Sequence, residues 1–267
     1  MGVVSNLSPR EHVEFVRERD LSWAPFDPLG TPSGRRVKYF TAGTENAAFS
    51  GLVRYPAGLE VPFGAHTRQV ELYVLDGALV VGDTECGPNT YIFVPAGVGY
   101  GPVLAREETT ILAHHEGSPD LVEPASDGEA TIIDTDSWEW TWGAGAGLPK
   151  GLCHKTVRYD ETTGERTFVL GVVPWWDSPL LEFHPCVEEC YVIQGDMFMD
   201  NVGELGAMGP GDYFWRDPWV SHGPMRTKGG FVALLRHDRH HVNYFTDRTG
   251  TSPEENRGLV EAGHFDG

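Results

Sequence analysis

Residues 181–195 read LEFHPCVEECYVIQG, and residues 63–77 read FGAHTRQVELYVLDG. In each stretch a glutamate follows a histidine by five residues, and a glycine follows that glutamate by six. Both stretches end in an apolar run closed by glycine, which is typical of a β-strand entering a turn. The shared spacing indicates that one structural unit occurs twice in the chain.

The repeat continues beyond these stretches. Residues 87–102 read GPNTYIFVPAGVGYGP, and residues 209–224 read GPGDYFWRDPWVSHGP. In both, the equivalent position follows the first glycine by thirteen residues, and it is Tyr100 in one copy and His222 in the other. Because a period near 120 residues is too long for a solenoid, the pattern predicts a duplicated domain.

The composition predicts an all-β fold. The chain has 33 glycines and 19 prolines among 267 residues, which favours short strands joined by tight turns. We therefore expect two tandem jelly-roll β-barrels with short terminal helices. Ser-Pro-x-Glu patterns predict those helices over residues 9–19 and from Ser252 onward. The expected division is a helical extension over 1–20, a barrel over 21–120, a linker over 121–137, a second barrel over 138–245 and a tail over 246–267.

The charge balance excludes some partners. Lysine and arginine total 20 and aspartate and glutamate total 39, so the formal net charge is −19. Binding to nucleic acid or to an anionic membrane needs clustered basic residues, so neither is expected. There is no apolar run of transmembrane length and no signal peptide pattern. Four cysteines without scaffold spacing suggest free thiols and a cytoplasmic location.

The second copy carries the more complete polar cluster. Glu182 and His184 are two residues apart, so on a strand they face the same way. Glu189 begins the next predicted strand, and His222 arrives from a later one. Two imidazoles and one carboxylate on a shared face can hold a divalent metal and leave positions open for substrate or dioxygen. Glu182 could add a fourth ligand or act as a base.

This spacing resembles the cupin superfamily, whose first motif is G-x5-H-x-H-x(3,4)-E-x6-G and whose second is G-x5-P-x-G-x2-H-x3-N. By that resemblance, His184 stands at the second histidine of the first motif, Glu189 at its glutamate and Gly195 at its glycine. His222 stands at the histidine of the second motif. The first histidine position holds Glu182 instead, so the resemblance implies two histidines with one or two glutamates as ligands.

The first copy departs further from the cupin motifs. His66 and Glu71 remain, but Gly64 and Tyr100 occupy two of the ligand positions. Two protein ligands rarely hold a divalent ion tightly. We expect this barrel to be structural, with no metal or only weak binding.

Residues 155–169, KTVRYDETTGERTFV, extend the resemblance to two cupin groups. One is the cupin domain of zinc-binding anti-sigma factors (ChrR-like cupins), and the other is the bicupin dioxygenases that act on aromatic ketones and diketones. The leading interpretation is a metal-dependent enzyme, an Fe(II) dioxygenase that cleaves a carbon–carbon bond in a small enolisable or aromatic ketone. Zn, Mn and Ni stay open as the metal. The alternatives are a non-redox isomerase, cyclase or decarboxylase, and a non-enzymatic metal-binding sensor.

Two further residues are candidates for catalysis. Tyr213 shares strand parity with inward positions, so its hydroxyl could reach a substrate oxygen. Arg236 ends a predicted strand and could also reach the pocket. The histidines at 237, 240 and 241 are interpreted as barrel-end or surface residues, although His237, like Arg236, could reach the pocket. The expected partner is a small-molecule substrate, and the barrels could pair as a homodimer.

Overall fold

The chain divides into two units, each built on one copy of the repeat. A computed structural model describes residues 5–30, 32–143, 149–200 and 206–265. The N-terminal unit comprises Asn6–Glu11 and Arg19–Trp138. The C-terminal unit comprises Met1–Ser5, His12–Glu18 and Glu139–Gly267. A short segment near the start of the chain therefore belongs to the C-terminal unit.

Eleven strands form the N-terminal unit among its described residues. They are β2 (Ala24–Pro25), β3 (Arg36–Ala42), β4 (Phe49–Tyr55), β5 (Glu60–Val61), β6 (Val70–Asp76), β7 (Leu79–Val81), β8 (Thr84–Cys86), β9 (Thr90–Val94), β10 (Val103–Ala105), β11 (Thr109–His115) and β12 (Thr131–Asp134). A seven-stranded antiparallel sheet has the order β12-β9-β6-β11-β4-β3-β2. A four-stranded sheet has the order β5-β10-β7-β8.

The C-terminal unit repeats this arrangement. Its strands are β1 (Val13–Arg17), β13 (Thr141–Trp142), β14 (Leu152–Tyr159), β15 (Arg166–Val172), β16 (Asp177–Ser178), β17 (Leu181–Phe183), β18 (Glu188–Gly195), β19 (Met197–Met199), β20 (Ala207–Met208), β21 (Asp212–Arg216), β22 (Met225–Arg226), β23 (Phe231–His237) and β24 (Tyr244–Thr246). The described sheets are β1-β21-β18-β23-β15-β14-β13, β16-β22-β19-β20 and β17-β24. One helix of the described residues, α1 (Pro253–Glu261), follows. A 3₁₀ turn spans Glu18–Asp20, and another, Thr135–Ser137, lies in the N-terminal unit.

The large and small sheets of the two units match in strand order, and the C-terminal unit adds the two-stranded sheet β17-β24. This confirms the all-β fold. In both large sheets the first motif strand lies between equivalent neighbours. Strand β6 lies between β9 and β11, and β18 lies between β21 and β23. Each unit packs its own core of aliphatic and aromatic side chains between its sheets. The repeat glycine that closes each motif strand has a left-handed backbone, with φ of +84° at Gly77 and +90° at Gly195. Glycine is required at these two turns because a side chain is strained in this conformation.

The helix expected over residues 9–19 is wrong, because this segment contains strand β1. Val13 pairs with Trp215 and Val16 pairs with Tyr213, so the segment forms the edge of the large C-terminal sheet. In the N-terminal unit the same edge is formed by β12, which lies inside the predicted linker. Pairing with β21 satisfies the backbone donors and acceptors of this segment. A local helix-capping pattern carries no information about such a distant partner.

The C-terminal helix predicted from the Ser-Pro-x-Glu pattern is confirmed. The Ser252 hydroxyl accepts a hydrogen bond from the Glu255 backbone N–H at 3.2 Å, and the Glu255 carboxylate accepts one from the Ser252 N–H at 2.8 Å. This reciprocal pair is a capping box. The four cysteines are free and buried. No helix within the described ranges is long and apolar enough to cross a membrane.

Candidate metal centre

Two imidazoles and two carboxylates converge inside the C-terminal unit. The Nε2 atom of His222 lies 3.4 Å from Glu182 Oε1 and 3.5 Å from Glu188 Oε2. The Nε2 atom of His184 lies 3.6 Å from the same Glu188 oxygen. The ring centroids of the two histidines are 4.9 Å apart. Ligand atoms of His184, Glu188 and His222 all lie within 4.8 Å of one another, close enough to share one cation.

Backbone pairing brings these side chains together. Glu182 and His222 form an antiparallel bridge with two backbone hydrogen bonds of 2.9 Å each. Glu182 lies on β17 and His184 directly follows that strand. Glu188 begins β18, where its register partner on the neighbouring strand is His237. Side chains that are directly paired across strands point to the same face of the sheet, so Glu188 and His237 both face the interior.

Both histidines present a buried nitrogen without a partner. The Nε2 atoms of His184 and His222 make no hydrogen bond within the described chain. The Nδ1 atom of His222 lies 3.1 Å from the Val220 carbonyl oxygen. Because a carbonyl can only accept, Nδ1 carries the proton and Nε2 keeps its lone pair. A backbone hydrogen bond of this kind is how proteins orient a metal-binding histidine.

Burial keeps the two imidazoles neutral, which metal binding requires. Burial, together with the neighbouring His222, lowers the pKa of His184 to about 3. Burial lowers the pKa of His222 to about 4, with Arg216 acting in the same direction. Burial also raises the pKa of Glu182. A divalent cation would relieve these costs because it pairs with the carboxylates and with both free lone pairs, so the residues present fit a metal ion.

Arg216 is the cation already present near the cluster. Its Nη1 atom donates to Glu188 Oε2 at 3.3 Å, and its Nε atom lies 3.5 Å from Glu14 Oε1. The side chain of Arg216 is buried. It therefore positions the Glu188 carboxylate and offsets part of the negative charge of the cluster.

The structure does not bring Glu189 to this cluster. The Glu189 carboxylate accepts a hydrogen bond from the Tyr213 hydroxyl at 2.7 Å and pairs with Arg236 Nη1 at 2.6 Å. Adjacent residues on a strand face opposite sides, so Glu189 points away from the interior that Glu188 enters. We therefore replace Glu189 by Glu188 as the candidate ligand. Tyr213 and Arg236, expected to be catalytic, contact the Glu189 carboxylate instead.

His237 and His241, interpreted from the sequence as barrel-end or surface residues, lie beside the cluster. His237 and His241 stack with ring centroids 4.3 Å apart, and the His241 ring lies 4.9 Å from that of His184. Burial lowers the pKa of His241 to about 3 and that of His237 well below its usual value. His240, the third member of the sequence cluster, is exposed. The repeat contained a signal for His237, because its equivalent His115 also ends a strand beside the first motif strand.

A cavity of about 60 Å³ adjoins the cluster. Glu182, Glu188, His237 and His241 provide its polar wall. The remaining wall is mostly apolar and includes Leu152, Phe168, Leu170, Val172, Trp176, Cys190, Met197, Met199, Phe214, Met225, Phe231 and Leu235. Such a cavity suits a small molecule with an apolar body and one polar end.

The N-terminal unit carries different side chains at the matched positions. Gly64 and Tyr100 form the equivalent backbone bridge, and Val70 occupies the position of Glu188. The Nε2 atom of His66 lies 3.0 Å from the Tyr100 hydroxyl, so it has a partner. Glu71 accepts a hydrogen bond from the Tyr91 hydroxyl at 2.7 Å, as Glu189 does from its tyrosine. The glutamate shared by both repeats is therefore the structural one.

The chain belongs to a family described as a domain of unknown function, DUF4437, whose model matches residues 14–244. No curated protein matches it. A Nostoc punctiforme protein described as a "putative dioxygenase" is 21% identical, with a TM-score of 0.76 over 90% of this chain and 93% of that one. A mutant of Bacillus subtilis oxalate decarboxylase is 14% identical, with a TM-score of 0.57 over 98% and 85% of the chains. A Pseudomonas aeruginosa protein described as a "putative glyoxylate induced protein" is 14% identical, with a TM-score of 0.60 over 94% of each chain.

These structural neighbours support the cupin fold. At such identities the likeness concerns the fold alone, because one fold hosts many activities. The similarity to the cupins of anti-sigma factors stays a prediction.

Proposed function

We propose that the C-terminal unit binds one divalent metal ion through His184, Glu188 and His222, and that the chain is a metal-dependent enzyme. The observation that carries this proposal is the pair of buried, unpartnered Nε2 atoms beside two glutamates. An unpaired buried nitrogen costs free energy that a ligand would recover. Glu182 lies outside the group formed by His184, Glu188 and His222, so we assign it to the substrate.

The reaction we propose is that of an Fe(II) dioxygenase. Two histidines and one carboxylate leave coordination positions open, which is the arrangement of non-haem iron oxygenases. When bound, ferrous iron supplies a Lewis acid for the substrate oxygens and the electrons that activate dioxygen. The substrate would be a small enolisable or aromatic ketone, cleaved at a carbon–carbon bond with both atoms of dioxygen entering the products. The neighbour described as a dioxygenase supports this choice.

The residues of the chain would bind, orient and deprotonate the substrate. Phe168, Phe214 and Met197 surround the apolar body of the ketone and exclude water from the reacting carbon. The Glu182 carboxylate accepts the proton that leaves on enolisation, because burial raises its proton affinity and its pKa. His237 faces the same cavity. As a neutral imidazole it has one N–H group, which can donate a hydrogen bond to the carbonyl oxygen of the substrate.

The metal is tested by elemental analysis of the purified chain beside a His184→Ala, His222→Ala double variant. We expect about one iron per chain in the wild type and none in the double variant. The matched control is His66→Ala in the N-terminal unit, which should retain the metal. Equal metal in the wild type and the double variant would contradict the site, and no metal even after reconstitution with ferrous ion would do so as well.

The reaction is tested by oxygen consumption with diketones and phenolic ketones. Turnover should stop under anaerobic conditions. Glu182→Gln should keep the metal and lower turnover by about 100-fold or more, because the amide cannot accept a proton. A Glu182→Gln variant that loses the metal would make this residue a ligand instead.

A non-redox reaction is the second candidate, favoured by Glu182 itself. A buried carboxylate beside a Lewis acid suits isomerisation, cyclisation or decarboxylation as well as it suits an oxygenase. Product formation that continues without oxygen would select this interpretation. Metal binding without turnover, together with co-purification of a regulator, would favour a sensor.

A further inference from the structure

The loop that leads to His222 contains a residue in an unusual backbone conformation. Trp219 has a left-handed backbone, with φ of +71°. This conformation is strained for a bulky residue, whereas glycine adopts it freely. The sequence repeat places Gly97 at the equivalent position of the N-terminal unit, with φ of +75°. The C-terminal unit therefore keeps a tryptophan at a position where the fold favours glycine.

The backbone of this loop is connected to both histidines of the candidate metal centre. The Trp219 N–H donates to the His184 carbonyl oxygen at 2.8 Å. The next residue, Val220, provides the carbonyl oxygen that lies 3.1 Å from His222 Nδ1. A displacement of residues 219–220 would therefore disturb the contacts that hold both imidazoles in place.

Asn256 holds this loop from the C-terminal helix. It is a buried residue of α1, with 1% exposure. Its Nδ2 atom donates to the Trp219 carbonyl oxygen at 2.8 Å and to the Ser221 hydroxyl at 2.8 Å. An amide nitrogen has two N–H groups, so both can be used on the loop. The two contacts lie on either side of Val220, the residue whose carbonyl orients His222.

The Trp219 side chain belongs to an aromatic cluster behind strand β17. Its ring centroid lies 6.4 Å from that of Phe183 and 6.3 Å from that of Tyr244. The Phe265 ring packs on these two rings at 5.3 Å and 5.8 Å. Phe183 follows Glu182 on β17, and adjacent residues on a strand face opposite sides. The cluster therefore supports the strand from the face opposite the candidate site.

The N-terminal unit holds the equivalent loop with backbone groups. The Gly97 carbonyl oxygen accepts hydrogen bonds from the Ala125 N–H at 2.9 Å and from the Ser126 N–H at 3.0 Å. In the C-terminal unit, the side chain of Asn256 donates to the equivalent carbonyl, and the side chain of Trp219 adds the aromatic contacts. These two side chains occur in the unit that carries the candidate metal ligands.

We infer that Asn256 and Trp219 are positioning residues of the metal centre, and that helix α1 holds the His184 and His222 imidazoles ready for the ion. This inference rests on the proposed metal site. Both residues act through the backbone of residues 219–222 and not on the ion itself. Ligands that are held in place before binding lose less conformational freedom when the metal enters, so the affinity is higher.

The first test is anaerobic titration of the metal-free chains with ferrous ion. Asn256→Ala should weaken binding by about tenfold or more, since loss of the groups that orient a metal ligand lowers affinity by about 10–100-fold. Trp219→Gly should weaken it as well, although glycine suits the backbone there as it does at Gly97. The matched control Arg257→Ala removes the next side chain of α1, which is exposed and pairs with Glu261. This control should bind ferrous ion as the wild type does.

The second test is hydrogen exchange of the metal-free chains, followed by mass spectrometry, because it needs neither metal nor activity. Asn256→Ala should raise exchange in peptides that cover residues 181–186 and 219–222 and leave strands β6 and β11 of the N-terminal unit unchanged.

Three results would overturn the inference. They are unchanged exchange at residues 219–222 in Asn256→Ala, an equal rise in β6 and β11, which indicates a global loss of stability, and ferrous binding by Asn256→Ala as tight as that of Arg257→Ala. A wild-type chain that binds no ferrous ion would defeat the proposed function instead. The exchange measurement would still decide whether Asn256 holds the histidine loop.

Discussion

Glu188 and Glu189 are adjacent, and their exchange for glutamine should separate metal binding from stability. Glu188 Oε2 lies 3.6 Å and 3.5 Å from the two histidine Nε2 atoms, whereas Glu189 pairs with Arg236 at 2.6 Å. We expect Glu188→Gln to lose the metal and remain folded. We expect Glu189→Gln to keep the metal and lose stability.

The magnitudes follow from the burial of each partner. Removing Glu189 leaves the Arg236 guanidinium, 1% exposed, without its carboxylate, and breaking a buried pair costs about 3–5 kcal/mol. The Tyr213 hydroxyl also loses its charged acceptor. Removing Glu188 leaves Arg216 with Glu14 at 3.5 Å, so the cost in stability should be about 1 kcal/mol. Metal affinity of Glu188→Gln should fall by about 100-fold or more. Replacing a residue that only hydrogen-bonds to a metal ligand already lowers metal affinity by about 10–100-fold.

The assay combines urea unfolding of the metal-free chains, followed by circular dichroism, with metal titration of the folded chains. Each variant serves as the control for the other, because both replace one glutamate by its amide on the same strand. The reverse pattern, with Glu189→Gln losing the metal and Glu188→Gln retaining it, would refute the assignment of faces. Equal metal loss in both variants would show that folding, rather than ligation, decides binding.

Three other measurements test the fold and the site. In the metal-free chain, burial lowers the pKa of His222 from 6.5 to about 4. The free energy of unfolding should therefore fall as the pH drops from 6.5 to about 4, because the unfolded chain binds a proton that the folded chain does not. The urea unfolding midpoint should depend less on pH in His222→Gln. Gly195→Ala should destabilise the chain by about 2 kcal/mol in thermal unfolding, since its φ is +90° and the new Cβ would meet the Gly230 carbonyl. The control Gly258→Ala in α1 should stabilise the chain slightly, because alanine favours a helix and the new Cβ meets no atom. A free metal concentration of 100 times Kd should add about 2.7 kcal/mol to stability, and His184→Ala should abolish that gain.

The duplicated fold was predictable because its signals are local and occur twice. The motif strands, their closing glycines and the later strands keep the same intervals in both copies, and the sheets have matching strand orders. The N-terminal strand β1 was not predictable in this way. Its Ser8-Pro9 pattern is typical of a helix start, but its state depends on a partner, β21, about 200 residues away.

The candidate ligand set was predictable in its histidines but not in its carboxylate. The cupin motif allows three or four residues between histidine and glutamate, and Glu188 and Glu189 satisfy one spacing each. The repeat favoured Glu189, since Glu71 has the same spacing from His66. That agreement reflects a tyrosine–glutamate hydrogen bond present in both units. Only the register of β18 decides which carboxylate faces the cavity.

The two cavities illustrate how a duplicated fold can diverge by exchanging charge. The C-terminal cavity has two carboxylates and free imidazole nitrogens, which suit a cation. In the N-terminal cavity, Val70 and Tyr100 replace two of those ligands, and Arg35 supplies the opposite charge. The same fold therefore presents a set of side chains that suits a cation in one unit and a buried guanidinium in the other.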